Sequence, residues 1–240
     1  MPKIAPHQLG EDRLLMRLIR AIVNDDAPEV AKLIGRSPSL ARQRLGVGAT
    51  RQGETDFFFE GIRHYLYAGD TPLHAAAAGY RVGIARQLIK KGSEVRAANR
   101  RGAEPVHYAA DGVPGSRHWN PEAQADLITL LVDSGADPNA LDKGGVAPLH
   151  RAVRQRCLGA VDSLLRNGSA VSLRNRSGST PLHLAVQNTG RGGSGSAESK
   201  DLQREIIGLL LKAGADPLDP DGRGRTVRQC IQGKWIRTLF

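Results

Sequence analysis

Apolar residues recur along this chain at helical spacing in short paired blocks, and glycines separate the blocks. Leu14, Leu15, Leu18, Ile19 and Ile22 form a stripe that predicts one helix, and Pro28 to Ile34 predict a second, with Ser37 to Leu45 continuing helically. Further on, apolar runs close on a glycine four times: Ile84 to Ile89 before Gly92, Leu127 to Val132 before Gly135, Val161 to Leu165 before Gly168, and Ile206 to Leu211 before Gly214. A short stretch opening near a proline precedes each run. Proline suits a first helical turn, where its missing N–H would have had no partner, so the pattern predicts a series of helix pairs.

The pairs are copies of one unit. Thr71-Pro72-Leu73-His74-Ala75-Ala76 returns as Glu104-Pro105-Val106-His107-Tyr108-Ala109, as Ala147-Pro148-Leu149-His150-Arg151-Ala152 and as Thr180-Pro181-Leu182-His183-Leu184-Ala185. The copies start at 71, 104, 147 and 180, a period of 33 with one interval longer by ten, and a degenerate copy opens at Thr226-Val227. A glycine stands two residues before each copy: Gly69, Gly102, Gly145, Gly178 and Gly224. Such a position fits a sharp turn with φ > 0, which a residue without Cβ adopts cheaply. Thr71 and Thr180 offer a capping hydroxyl; Glu104 and Ala147 depart from that choice, so their helices are expected to be less well capped.

Period and motif together resemble the ankyrin family, with its 33-residue unit and T-P-L-H-x-A signature. The resemblance covers residues 66–232 well and 12–36 weakly. It implies an all-α solenoid of helix-turn-helix units joined by β-hairpin-like loops, about five to six repeats including divergent terminal caps. Residues 1–45 are expected to form the N-terminal cap, with Glu11, Arg13, Arg17 and Arg20 facing water. Residues 46–66 are an insertion rich in aromatics. Residues 67–240 carry the repeats, with further insertions near 112–121 and 188–200. A C-terminal cap is expected from about 226, with one helix and a second containing Trp235. The resemblance also implies that His74, His107, His150 and His183 tie neighbouring hairpins by hydrogen bonds, and that partner proteins bind a concave surface of hairpin tips and first-helix sides.

Charge sharpens this expectation. Lys and Arg number 34 against 24 Asp and Glu, a formal charge of +10 and a pI near 10.1, which favours acidic proteins, nucleic acid or anionic surfaces. A solvated, arginine-rich surface gives the same count. The tip pairs read Tyr67-Ala68, Arg100-Arg101, Lys143-Gly144, Arg176-Ser177 and Gly222-Arg223: five basic residues and no acid. With Arg154 and Arg225 nearby, they make a basic row suited to another protein with an acidic surface; the alternative is non-specific binding of nucleic acid or another polyanion by the same row. Rim charges of this kind act mainly through steering and salt dependence. The insertions add aromatic candidates. Phe57, Phe58, Phe59, Tyr65 and Tyr67 are half of the ten aromatic residues. Phe58, Ile62 and Tyr65 fall at helical spacing and suit packing on the first repeat, whereas three adjacent Phe cannot all point one way, which leaves Phe57 as a contact candidate. Trp119, beside Arg117 and His118, either contacts a partner or packs on its own loop.

Catalysis is not expected. The chain has no H-E-x-x-H, no G-x-x-x-x-G-K and no G-x-S-x-G. The run Gly190-Arg191-Gly192-Gly193-Ser194-Gly195 matches G-x-G-x-x-G, but it follows a helix in a low-complexity loop and not a strand of a βαβ unit. Successive repeat histidines are too far apart to share a zinc ion, so no metal or other cofactor is expected. Charged residues interrupt the first 30 positions and no long uncharged apolar stretch follows, which excludes a secretory signal or membrane helix and points to the cytoplasm. Cys157 and Cys230, far apart in sequence, fit unpaired thiols.

Overall fold

The computed structural model describes residues 6–50, 57–188 and 195–240. The Glu11 side chain and the glycine-rich run through Ser194 lie outside the described residues. Six helix pairs follow one another: α1 (Pro6–Val23) with α2 (Ala27–Arg36), α3 (Pro72–Ala78) with α4 (Val82–Lys90), α5 (Pro105–Ala110) with α6 (Pro121–Asp133), α7 (Pro148–Gln155) with α8 (Leu158–Arg166), α9 (Pro181–Ala185) with α10 (Ala197–Lys212), and α11 (Val227–Cys230) with α12 (Lys234–Arg237). The first helices pack in succession from α1 to α11 and form an inner row, and α2, α4, α6, α8 and α10 form an outer row. Neither helix of a pair is long enough to bury its apolar face alone, so one continuous core runs from Leu18, Ile19 and Ile22 through Leu73, Leu127 and Leu164 to Val227 and Ile236.

Both ends follow the apolar pattern with small departures. Arg13, Arg17 and Arg20 face water, and Leu14, counted above in the apolar stripe, is 41 % exposed beside them. Of the expected continuation from Ser37 to Leu45, only the 3-10 helix Pro38–Arg42 forms, with Pro38 at its start, and the chain turns extended at Gln43. Thr226 caps α11 with its hydroxyl on the Gln229 N–H at 3.3 Å, and the short helix holding Trp235 closes the stack. Cys157 and Cys230 are free thiols, and burial pushes the Cys157 thiol up to about 12. Among the described residues, no helix is long and apolar enough to cross a membrane.

The repeated histidine, and not the threonine, carries each N-terminus. In all four copies its Nδ1 accepts the N–H of the N-cap residue, from Thr71, Glu104, Ala147 and Thr180 at 3.1–3.2 Å. Its Nε2 reaches the carbonyl of the following hairpin: Ala103, Val146, Ser179 and Arg225 at 3.0–3.4 Å. Ala147, with no hydroxyl, therefore keeps the same histidine bond as Thr71. The Thr71 and Thr180 hydroxyls, expected to cap the helix, bond to the histidine Nδ1 at 3.0 and 2.8 Å instead.

Two inner helices are cut short where a loop intervenes. α5 and α9 run for 6 and 5 residues, and their last carbonyls are buried without a helical successor. A glutamine on the outer helix satisfies them. Gln124 Nε2 donates to the Ala109 and Asp111 carbonyls at 2.9 and 3.1 Å, and Gln203 Nε2 to those of Ala185 and Gln187 at 2.5 and 2.7 Å. The insertion read near 188–200 ends in helix: Ser196 caps α10, and residues 197–200 are its first turn.

Candidate functional site

The tips form a backbone ladder. Arg100 N donates to the Ala68 carbonyl, Lys143 N to Arg101, Arg176 N to Gly144 and Gly222 N to Ser177, at 2.9–3.0 Å. Each turn after the first is set by an Asn or Asp three residues before its glycine. Asn99, Asp142, Asn175 and Asp221 each accept two backbone N–H bonds with Oδ1 at 2.8–3.1 Å. The five marker glycines hold φ between +69° and +88°. At Gly102 a Cβ would lie 2.9 Å from Lys143 N, so the ladder itself leaves no room for a side chain.

The fifth position of the motif varies, as Ala75, Tyr108, Arg151 and Leu184, and two of these, Tyr108 and Arg151, supply the floor. Tyr108 is fully buried and donates its hydroxyl to Asp70 at 2.7 Å, and Asn99 bonds the same carboxylate at 2.8 Å. Arg151 bridges Asp111 at 2.7 Å and Asp142 at 3.0 Å. Burial alone would raise the Asp111 carboxyl; the Arg151 guanidinium, with His64 at 3.5 Å, overcomes that and brings it down to about 2.

Two of the three insertions fold as walls over this floor. Residues 57–66 make a two-stranded hairpin, β1 (Phe58–Phe59) against β2 (His64–Tyr65), joined by the 3-10 turn Glu60–Ile62. This corrects the helical spacing read for Phe58, Ile62 and Tyr65: Phe58 and Tyr65 are cross-strand partners with ring centroids 4.8 Å apart, and Ile62 alone is buried. The His64 ring lies 4.3 Å from that of Tyr108, which fastens the hairpin to the repeats. On the other side, the loop before α6 is held by the Trp119 indole, which donates to Gln124 Oε1 at 2.8 Å, and by the Tyr80 hydroxyl on the Asp111 carbonyl at 2.6 Å.

Seven of the ten candidate residues, Tyr67, Arg100, Arg101, Trp119, Lys143, Arg154 and Arg176, line one cavity of about 640 Å³. Arg100 and Arg101 lie 5.5 and 4.9 Å over the Tyr67 ring, and Arg100 also donates to the Ala49 carbonyl. Arg176 donates to the carbonyl of Lys143. Among the described residues, Arg100, Arg101, Lys143, Arg154 and Arg176 have no carboxylate partner. Phe57, Arg223 and Arg225 lie outside the cavity. Arg225 departs furthest from its expected role, since its guanidinium is taken up by Asp221 at 2.8 Å. Arg63, His64, His118 and Arg151 also line the cavity and were not candidates. The variation at the motif's fifth position was the signal for Arg151; for Arg63 and His64 the repeat pattern held none.

A family model described as "Ankyrin repeats (3 copies)" matches residues 120–221, and one described as "Ankyrin repeat" matches 68–100. The chain is 31% identical over 155 residues to ankyrin repeat and SOCS box protein 16 of Mus musculus, covering 63% of this chain and 32% of that protein. It is 36% identical over 159 residues to the B-cell lymphoma 3 protein homolog of Mus musculus, covering 62% and 30%. A third match, 30% over 194 residues, is to the E3 ubiquitin-protein ligase KEG of Arabidopsis thaliana, covering 66% and 11%. The chain thus spans about a third or less of the length of these curated relatives. Repeat period, histidine ties and matched segments agree, and the chain belongs to the ankyrin-repeat family.

Proposed function

We propose that this chain is a protein-interaction module which holds an acidic segment of its partner along the face made by the tips and inner helices. The observation that carries this reading is the set of five cations, Arg100, Arg101, Lys143, Arg154 and Arg176, that face one cavity with no carboxylate partner among the described residues. The contacts of Arg100 with the Ala49 carbonyl and the Tyr67 ring, of Arg101 with the same ring and of Arg176 with the Lys143 carbonyl hold these guanidinium groups in place, so less side-chain freedom is lost when a carboxylate arrives. The ligase activity named in one relative belongs to a protein of which this chain matches 11%, and it is not carried over. The repeat supplies a binding surface, and no group placed on it here has the geometry of a nucleophile beside a base.

The test is capture from native lysate at low and at moderate salt, with a nuclease-treated control and an Arg100→Glu/Arg101→Glu/Arg176→Glu variant. A protein retained through nuclease and moderate salt, and lost with the variant, is the expected result. Material that disappears with nuclease, with binding that falls steeply as salt rises, would replace this reading by phosphate-backbone binding.

A further inference from the structure

We infer that the walled end of the inner face is a binding site for a small molecule carrying closely spaced phosphate groups, of the size of a nucleoside polyphosphate. Three observations converge on it. The cavity of about 640 Å³ falls within the ~300–1,000 Å³ usual for small-ligand pockets. Its two walls are the hairpin bearing Arg63 and His64 and the loop bearing His118 and Trp119, and neither belongs to the repeating unit; the repeats alone would leave an open face. Among the described residues, its lining holds seven Lys and Arg against two Asp, a formal excess of five positive charges with the histidines neutral.

The two acids do not oppose an anion. Asp111 is held by Arg151 and His64, and Asp142 by Arg151 and the N–H groups of Gly144 and Val146. The remaining cations also line the cavity, and a cleft concentrates their field. A single carboxylate would neutralise one of them. A polyphosphate brings several charges within the same few ångströms, and the planar guanidinium forks of Arg101 and Arg154 match paired phosphate oxygens. This site shares its cations with the protein-binding reading; the two are told apart because small-molecule binding is measured on the chain alone, with no partner present.

Isothermal titration calorimetry of the full chain at physiological salt tests it, with tripolyphosphate, ATP and inositol hexakisphosphate as probes and citrate as the carboxylate control. The expected result is one molecule of tripolyphosphate or ATP per chain, with citrate about tenfold weaker or more. Tighter binding of ATP than of tripolyphosphate would assign the base a contact, and equal binding would assign recognition to the phosphates alone. Arg101→Gln/Arg154→Gln should weaken the bound probe about tenfold or more, and Arg223→Gln, outside the cavity, should leave it unchanged. Lys143→Gln/Arg176→Gln provides a second reading should the first variant melt earlier than the parent. Citrate equal to tripolyphosphate, several molecules per chain, equal loss with Arg223→Gln, or no heat at millimolar probe would each overturn the site.

Discussion

The two ends of the tip row carry similar numbers of arginines and use them oppositely. Near the insertions, Arg100 and Arg101 lie over an aromatic ring and meet no carboxylate among the described residues, while Arg151 is half-buried between two aspartates. At the C-terminal end, Arg174 pairs with Asp219 and Arg225 with Asp221 in water, each at 2.8 Å. Net charge counts all of these alike. What differs is whether an acid stands within reach, and whether water does. The basic face is therefore local to the second, third and fourth tips, and the last tip is nearly self-neutralised.

Replacing the half-buried bridge should have the largest effect. Arg151→Met leaves Asp111 and Asp142 without their shared guanidinium, and we expect a loss of about 3 kcal/mol in urea unfolding. An unchanged midpoint would show that water already compensates these aspartates and would erase the contrast. Acid comes next. Burial chiefly lowers the His107 imidazole to about 4, and it lowers His74, His150 and His183 in the same direction. The unfolded chain takes up these protons near pH 6.5, so stability is full above that value and lost as pH falls from 6.5 towards 4. His107 alone accounts for about 3 kcal/mol of this. The cause is visible in the fold: a proton on Nδ1 removes the acceptor of the N-cap N–H. Asp111, brought down to about 2, adds a second loss below pH 3.8. Unfolding curves at pH 7.5, 5.5 and 4.5 check the sign.

Two smaller changes sharpen the comparison. Gly102→Ala forces a side chain into φ +77° against the next tip, and we expect a cost of about 2 kcal/mol with protection from hydrogen exchange lost first at Lys143 N. Arg174→Gln, at the water-exposed end, should cost no more than about 1 kcal/mol and should vanish into error at high salt. A larger, salt-insensitive cost would mean that the C-terminal pairs are structural in the manner of Arg151.

Much of this was readable in the chain. Period, marker glycines and paired helices follow from residues that recur at fixed offsets, because each repeat solves the same local problem, and the histidine ties came with the resemblance to the ankyrin family. The Asx anchors Asn99, Asp142, Asn175 and Asp221 also recur, three places before each glycine, and were overlooked because two residue types alternate there. The insertions resisted for a physical reason. Phe57, Phe58 and Phe59 show no alternation, since the hairpin is two residues wide and its strands are set by contacts to Tyr108 and Asp111 from a distant repeat. Gln124 and Gln203 read as ordinary polar residues on an amphipathic helix; only the truncated helix beneath each explains its burial.

Those two glutamines have a further consequence. By sealing the end of the inner helix from the side, each uncouples the stack from whatever chain joins the two helices of its pair. The joint becomes a port: a loop could be lengthened, shortened or exchanged there without opening the core. A repeat array equipped this way acquires new walls one at a time, on a foundation that does not have to be rebuilt.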